Sequence, residues 1–253
     1  QRLSFSLMTA AEYDLTSTLA EYMDIHLALP LLEFLQKKNI YPENEILQAK
    51  LEMLKKTFLL DSAADIYTQL NSGSAVPEEL TLQRKEVQTQ IQRLESLVKP
   101  FEPLFQDMNK VNELIKGNML NVSYLSDEYH VEASNVEALF DFAKCQFECG
   151  NYSKASGLLF LYSQLGQQSD LLLGCLWGKC AADILQGDWE VARRTLLALK
   201  ERLDAVSFVN PVELLQNRTA FLHVALFVCF NSEGGLSLWV DLGAVEPYIS
   251  AFL

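Results

Sequence analysis

Two segments of the chain repeat one another at an offset of 37 residues: FAKCQFECGNYSKASGLLFLY from Phe142 and KCAADILQGDWEVARRTLLAL from Lys179. Gly150 matches Gly187, Asn151 matches Asp188, Tyr152 matches Trp189 and Ala155 matches Ala192. In each segment an amphipathic helix ends at a glycine, a large aromatic follows two residues later, and a small alanine sits three positions beyond it. Glycine can take positive φ at a helix end, the aromatic can wedge between two helices, and the alanine lets their axes approach. The pattern predicts one helix-turn-helix joint used twice, with Tyr152 and Trp189 in the interior. A weaker echo lies at Phe58, Leu60 and Ala63, without the glycine. Repeats that bury their faces only against neighbours build a solenoid and present long surfaces to other proteins, so interaction is the leading function class.

Composition agrees with helix. Of 253 residues only 11 are glycine and 7 proline, below the roughly 7% and roughly 5% of average usage, whereas turn-rich all-β folds need more of both. Apolar residues at 49% and charged residues at 21% are enough for a packed core. Lys and Arg total 20 against 33 Asp and Glu, a net charge of −13, which disfavours bulk attraction to DNA or to an anionic membrane. The longest near-apolar stretch, Phe221 to Phe230, is ten residues and contains His223, well under the roughly 18 to 20 needed to cross a bilayer. The head QRLSFSL lacks an apolar run with a cleavage site. Five cysteines form no framework, and Cys145/Cys149 and Cys175/Cys180 stand within apolar helical segments. A reducing, cytoplasmic setting is expected.

Along the chain, Leu15, Leu19, Tyr22 and His26 recur at helical spacing, and Pro30 is expected to open a second helix at PLLEFL. In YPENEILQAKLEMLKK, Pro42 and the acids Glu43 and Glu45 mark a start, Leu47, Leu51 and Leu54 one face, and Lys55 and Lys56 the end. Asp61 is expected to cap a helix over 63–70, and NSGSAVP at 71–77 to link it to the next. One long helix over 77–99 places Leu80, Val87, Ile91, Leu94 and Val98 on one seam. Packing within the chain and pairing between molecules both remain open for it. PFEPLF at 100–105 stops that helix, and further helices run from Asp107.

Chemistry is sparse. His26, His130 and His223 are far apart and belong to no metal-binding spacing, and no cofactor motif stands out. GCLWGK at 174–179 is one residue short of a phosphate loop and lacks the following Ser or Thr and a preceding strand. No nucleophile elbow occurs, so an enzyme is not expected. Arg193, Arg194, Lys200 and Arg202 follow Trp189 and could contact a phosphate, but Glu190, Glu201 and Asp204 interrupt them, and a solvated face is the competing reading. Val212, Leu214, Leu215, Phe221, Leu222, Leu226 and Phe230 make a final helix so apolar that something should cover it: the last residues, a continuation of the chain, or a partner.

AEYDLT at 11–16, PLLEFL at 30–35, IYPENEILQAKLEML at 40–54, FAKCQFECGNYSKA at 142–155 and LWGKCAADILQGDWEVA at 176–192 together resemble the family of E subunits of eukaryotic translation initiation factor 3. The likeness covers most of residues 10–230 in the same order, while 1–7 precede Met8, where the family's start would fall, and 118–135 and 231–253 match poorly. It implies a noncatalytic scaffold whose helical repeats precede a winged-helix PCI domain, the module shared with the proteasome lid and the COP9 signalosome. It also implies contacts with other PCI subunits and with the factor's D subunit, and with the small ribosomal subunit through the assembled factor. The expected fold is an all-α, right-handed, TPR-like and PCI-associated solenoid of antiparallel helix pairs. Its expected parts are an N-terminal extension (1–9), a helical bundle (10–70), a linker (71–76), a long helix with connecting helices (77–133) and the repeats (134–253). The winged-helix half is expected to lie outside the sequence. A member of a related PCI complex and an RNA-binding helical module are the competing readings.

Overall fold

The computed structural model describes residue 18 and residues 23–233, apart from 72, 166–168 and 207–209. The described residues are all helical, with no strand among them: α1 (Ile25–Lys37), α2 (Glu43–Leu54), α3 (Leu60–Leu70), α4 (Glu78–Val98), a 3-10 turn (Lys99–Phe101), α5 (Glu102–Gln106), α6 (Met108–Lys116), α7 (Val122–Tyr129), α8 (Ala133–Glu148), α9 (Tyr152–Leu165), α10 (Ser169–Gln186), α11 (Trp189–Ala205) and α12 (Pro211–Asn231). The chain divides into two compact units, residues 1–89 with 148–150, and residues 90–147 with 151–253.

In the first unit, α1 packs on α2 and α2 on α3. Leu32, Leu35 and Ile46 form a buried cluster between α1 and α2, and Lys50 Nζ donates to Gln36 Oε1 across the pair at 2.8 Å. The expected face of α2 is the buried one, Leu47, Leu51 and Leu54, with Glu43 and Glu45 in its first turn. Two expected starts are corrected. The helix assigned to Pro30 begins at Ile25, because Asp24 caps it by accepting the His26 amide at 2.9 Å; Pro30 lies inside the helix. Asp61 does not cap α3, which starts at Leu60. The buried Thr57 hydroxyl accepts the Leu59 amide at 3.1 Å ahead of it, leaving Asp61 exposed in the first turn beside Arg84 at 3.0 Å. Leu15, Leu19 and Tyr22 lie outside the described residues, and His26 belongs to α1.

The long seam helix exists as α4, with Leu80, Val87, Leu94 and Val98 buried. PFEPLF breaks it into the 3-10 turn and α5, whose Phe101 and Leu104 are fully buried. Within the second unit, Asp107 caps α6 through the Asn109 and Lys110 amides, and Asn121 caps α7 through Tyr124. From α8 to α11 successive helices run antiparallel. Phe147 meets Tyr152 and Phe140 meets Tyr162 between α8 and α9, with ring centres 5.4 and 5.1 Å apart. The Gln186 side-chain Nε2 donates to the Tyr152 carbonyl at one end of the α9–α10 pair, and the Cys175 thiol to the Leu159 carbonyl further along it. α10 packs on both α11 and α12, and α11 on α12, so these helices meet neighbours one and two places along the chain.

Candidate functional site

The two predicted joints share a backbone. Gly150 and Gly187 both hold positive φ, +79° and +75°. The Asn151 amide donates to the Gln146 carbonyl at 2.9 Å and the Asp188 amide to the Asp183 carbonyl at 3.2 Å, the six-to-one bond that closes a helix after a left-handed glycine. Ala155 and Ala192 are both completely buried, as is Ala63 at the weaker echo, so no side chain holds the helix axes apart at any of the three.

Beyond the backbone the joints differ. A Cβ on Gly150 would come within 2.7 Å of Leu59, whereas one on Gly187 would meet nothing within 4 Å. Asp188 caps α11 by accepting the Val191 amide, while the side chain of Asn151 donates backwards to Gln146. Tyr152 and Trp189 are half-buried, not interior. Each is the first residue of its helix, and the Tyr152 ring meets Phe147 of the preceding helix edge-on.

A buried polar cluster, not anticipated from the sequence, joins α9, α10 and α11. Asp183, 1% exposed, accepts from Lys179 Nζ at 2.8 Å, Ser156 Oγ at 2.5 Å and Thr195 Oγ1 at 2.7 Å; Lys179, 8% exposed, also donates to Ser156 Oγ at 3.2 Å. Every member has a partner, which is the condition for keeping an ion pair inside an apolar stack. GCLWGK is therefore continuous helix, with its lysine turned into this cluster. Cys175 and Cys180 lie beside it, and burial pushes both thiols up to about 12, so they remain protonated and inert.

The four cations of α11 do not converge. At 100° per residue Arg193 and Lys200 share a face, Arg194 stands about a quarter turn away and Arg202 about half a turn. The Lys200 ammonium pairs with Asp204 at 2.8 Å, and Arg194 Nε donates to the Glu190 carbonyl of its own helix. α12 buries Phe221, Val224, Ala225 and Val228 and exposes Val212, Leu215, Leu226 and Phe230, the last to 83%. Among the described residues no three or more His, Cys, Asp or Glu side chains gather as a metal site, and no helix is long and apolar enough to cross a membrane.

The described residues thus define an all-helical protein, with one buried polar cluster joining α9, α10 and α11. Comparison with known proteins supplies the family. Residues 14–146 match the family described as eIF3 subunit 6 N terminal domain. The chain is 36% identical to the E subunit of eukaryotic translation initiation factor 3 from Arabidopsis thaliana, over 94% of its own length and 54% of that protein. It is 35% identical to the protein of the same name from Bombyx mori, over 96% and 57%, and 32% identical to that of Aspergillus niger, over 95% and 53%. The chain belongs to this E-subunit family. It spans about half the length of the curated relatives it matches.

Proposed function

We propose that the chain is a noncatalytic scaffold of the translation initiation factor 3 complex, acting in the cytoplasm through protein-protein contacts of its helices. The observation that carries this reading is similarity along nearly the whole chain to proteins named as the E subunit of that factor. The helical packing supports the mechanism. Neighbours one and two places along the chain, and a glycine joint used twice, are what a right-handed TPR-like solenoid over 134–253 requires, with 10–70 and 77–133 as the helical parts before it and 71–76 as their linker. The outer faces of such a stack dock other PCI subunits and the D subunit, and the assembled factor carries them to the small ribosomal subunit. Direct RNA contact through Arg193, Arg194, Lys200 and Arg202 draws little support from their spread around α11.

The test is native mass spectrometry of complexes recovered through the tagged protein. Initiation factor 3 subunits with small ribosomal subunit proteins are the expected partners. Recovery of proteasome-lid or signalosome subunits in their place would refute the assignment.

A further inference from the structure

Within the second unit, the C-terminal part of α4, the 3-10 turn, α5 and the α8–α9 hairpin enclose an open groove of about 610 Å3. Its floor is aromatic, from Phe142 and Phe105, and its rim carries Glu95, Lys99, Glu102 and Lys154. Lys154 Nζ lies 4.7 Å from the centre of the Phe142 ring and 3.7 Å from Glu95. Phe142 is only 1% exposed, so ring and carboxylate form a seat for a cation that a lysine of the chain already fills and that opens only when this lysine leaves.

That lysine is held loosely. The side chains of Lys154 and Glu95 are 49% and 61% exposed, and an ion pair so open to water contributes little. The joint does not depend on it either, since the matching positions of the second repeat are Lys179 and Val191. An arginine suits the seat better. Its guanidinium can stack flat on a ring while its edge forks onto a carboxylate, which a compact ammonium cannot do. Glu102, met at 3.4 Å by Gln106, offers a second carboxylate on the same groove. The net charge of −13 draws basic segments toward the protein before any specific contact forms.

We propose that this groove takes an arginine side chain from a basic segment of a partner protein, the guanidinium replacing the Lys154 ammonium over Phe142 and pairing with Glu95 and Glu102. The proposal rests on the docking role above and names the chemistry of one docking point. Its test is a fluorescence-anisotropy titration of the 253-residue protein with dye-labelled octa-arginine, octa-lysine and octa-glutamate at about 150 mM salt, where long-range attraction is screened. Octa-arginine is expected to bind at least about fivefold more tightly than octa-lysine. Glu95→Gln with Glu102→Gln should weaken it about fivefold or more, while Asp127→Asn with Glu128→Gln, which remove the same charge from exposed sites on α7, should not. Lys154→Ala should strengthen binding more than Lys144→Ala on the exposed side of α8. Equal effects of the two acidic pairs, no preference for arginine, or tighter binding of octa-glutamate would overturn the groove assignment. The partners found by native mass spectrometry bear only on the scaffold reading, so the two can fail separately.

Discussion

Asp183→Asn should be among the most damaging single substitutions in the second unit. The change is nearly isosteric, so packing is preserved and the loss is electrostatic. It leaves the Lys179 ammonium, 8% exposed, without a counter-charge, and it forces an amide to face Lys179, Ser156 and Thr195, all of which now donate to the carboxylate. Removing one partner of a buried pair costs about 3–5 kcal/mol. For a chain of this size, about 2–4 °C accompanies each kcal/mol, so a fall in melting temperature of roughly 6–20 °C is expected. Thermal and urea unfolding followed by helical circular dichroism would measure it. The double change Lys179→Met with Asp183→Leu supplies the decisive comparison. It removes both charges and leaves two hydroxyls that can bond carbonyls of their own helices, so it should cost far less than the sum of the single changes. Asp183→Asn within about 1 kcal/mol of wild type, or strict additivity, would refute the view that the buried carboxylate, paired on α10 and bonded by hydroxyls of α9 and α11, holds the three helices together.

Gly150→Ala and Gly187→Ala should both destabilise, by about 1–2 kcal/mol for a side chain at positive φ, with Gly150→Ala the worse of the two because the new methyl must also displace Leu59; equal melting temperatures would contradict the difference in surroundings. Trp189→Ala should loosen α10–α12 and weaken complex assembly together, by about 1–3 kcal/mol for a half-buried ring; a mutant of unchanged thermal stability would disprove its packing role. Cys175 and Cys180 should resist iodoacetamide in the native state while the half-buried Cys149 reacts, as peptide mass spectrometry after timed alkylation can show. The same two thiols have folded values of about 12, raised by burial from an ordinary 9.0, so their contribution is complete below pH 9 and is lost as pH climbs from 9 toward 12. Unfolding titrations across that range should show stability falling by up to roughly 1.4 kcal/mol per pH unit for each thiol.

What could be read from the sequence was whatever depends on local rules. The glycines of the joints, the alanines beneath them, the seam of α4 and the face of α2 each follow from periodicity or from a backbone need that few residues meet. The starts of α1 and α3 differ from the expected ones for separate reasons: Asp24 caps α1 ahead of Pro30, and α3 begins at Leu60 with no side-chain cap, the Thr57 hydroxyl holding the Leu59 amide just before it. The polar cluster is hidden from local rules because its members come from three helices. A signal was there, since Lys179 and Asp183 stand four apart in a segment of Cys and Ala, where a lone charge would be costly and an opposite pair on one helical face is tolerable.

The polar cluster and the joints perform different tasks, and the proposed docking role needs both. Left-handed glycines set the direction in which each helix returns, but a turn constrains only the ends of a hairpin. Two helices joined that way can still rotate about their own axes with little change in apolar area buried, because the hydrophobic effect has no direction. Hydrogen bonds do. Asp183 accepts from α9, α10 and α11 at once, and rotation of α9 or α11 by a single residue would take the Ser156 or Thr195 hydroxyl off the buried carboxylate. The cluster therefore fixes which faces of these helices look outward, and with them the array of side chains a partner meets. Replacing it by a well-packed apolar set would preserve the fold and relax that choice, so the loss should appear in partner affinity before it appears in helix content.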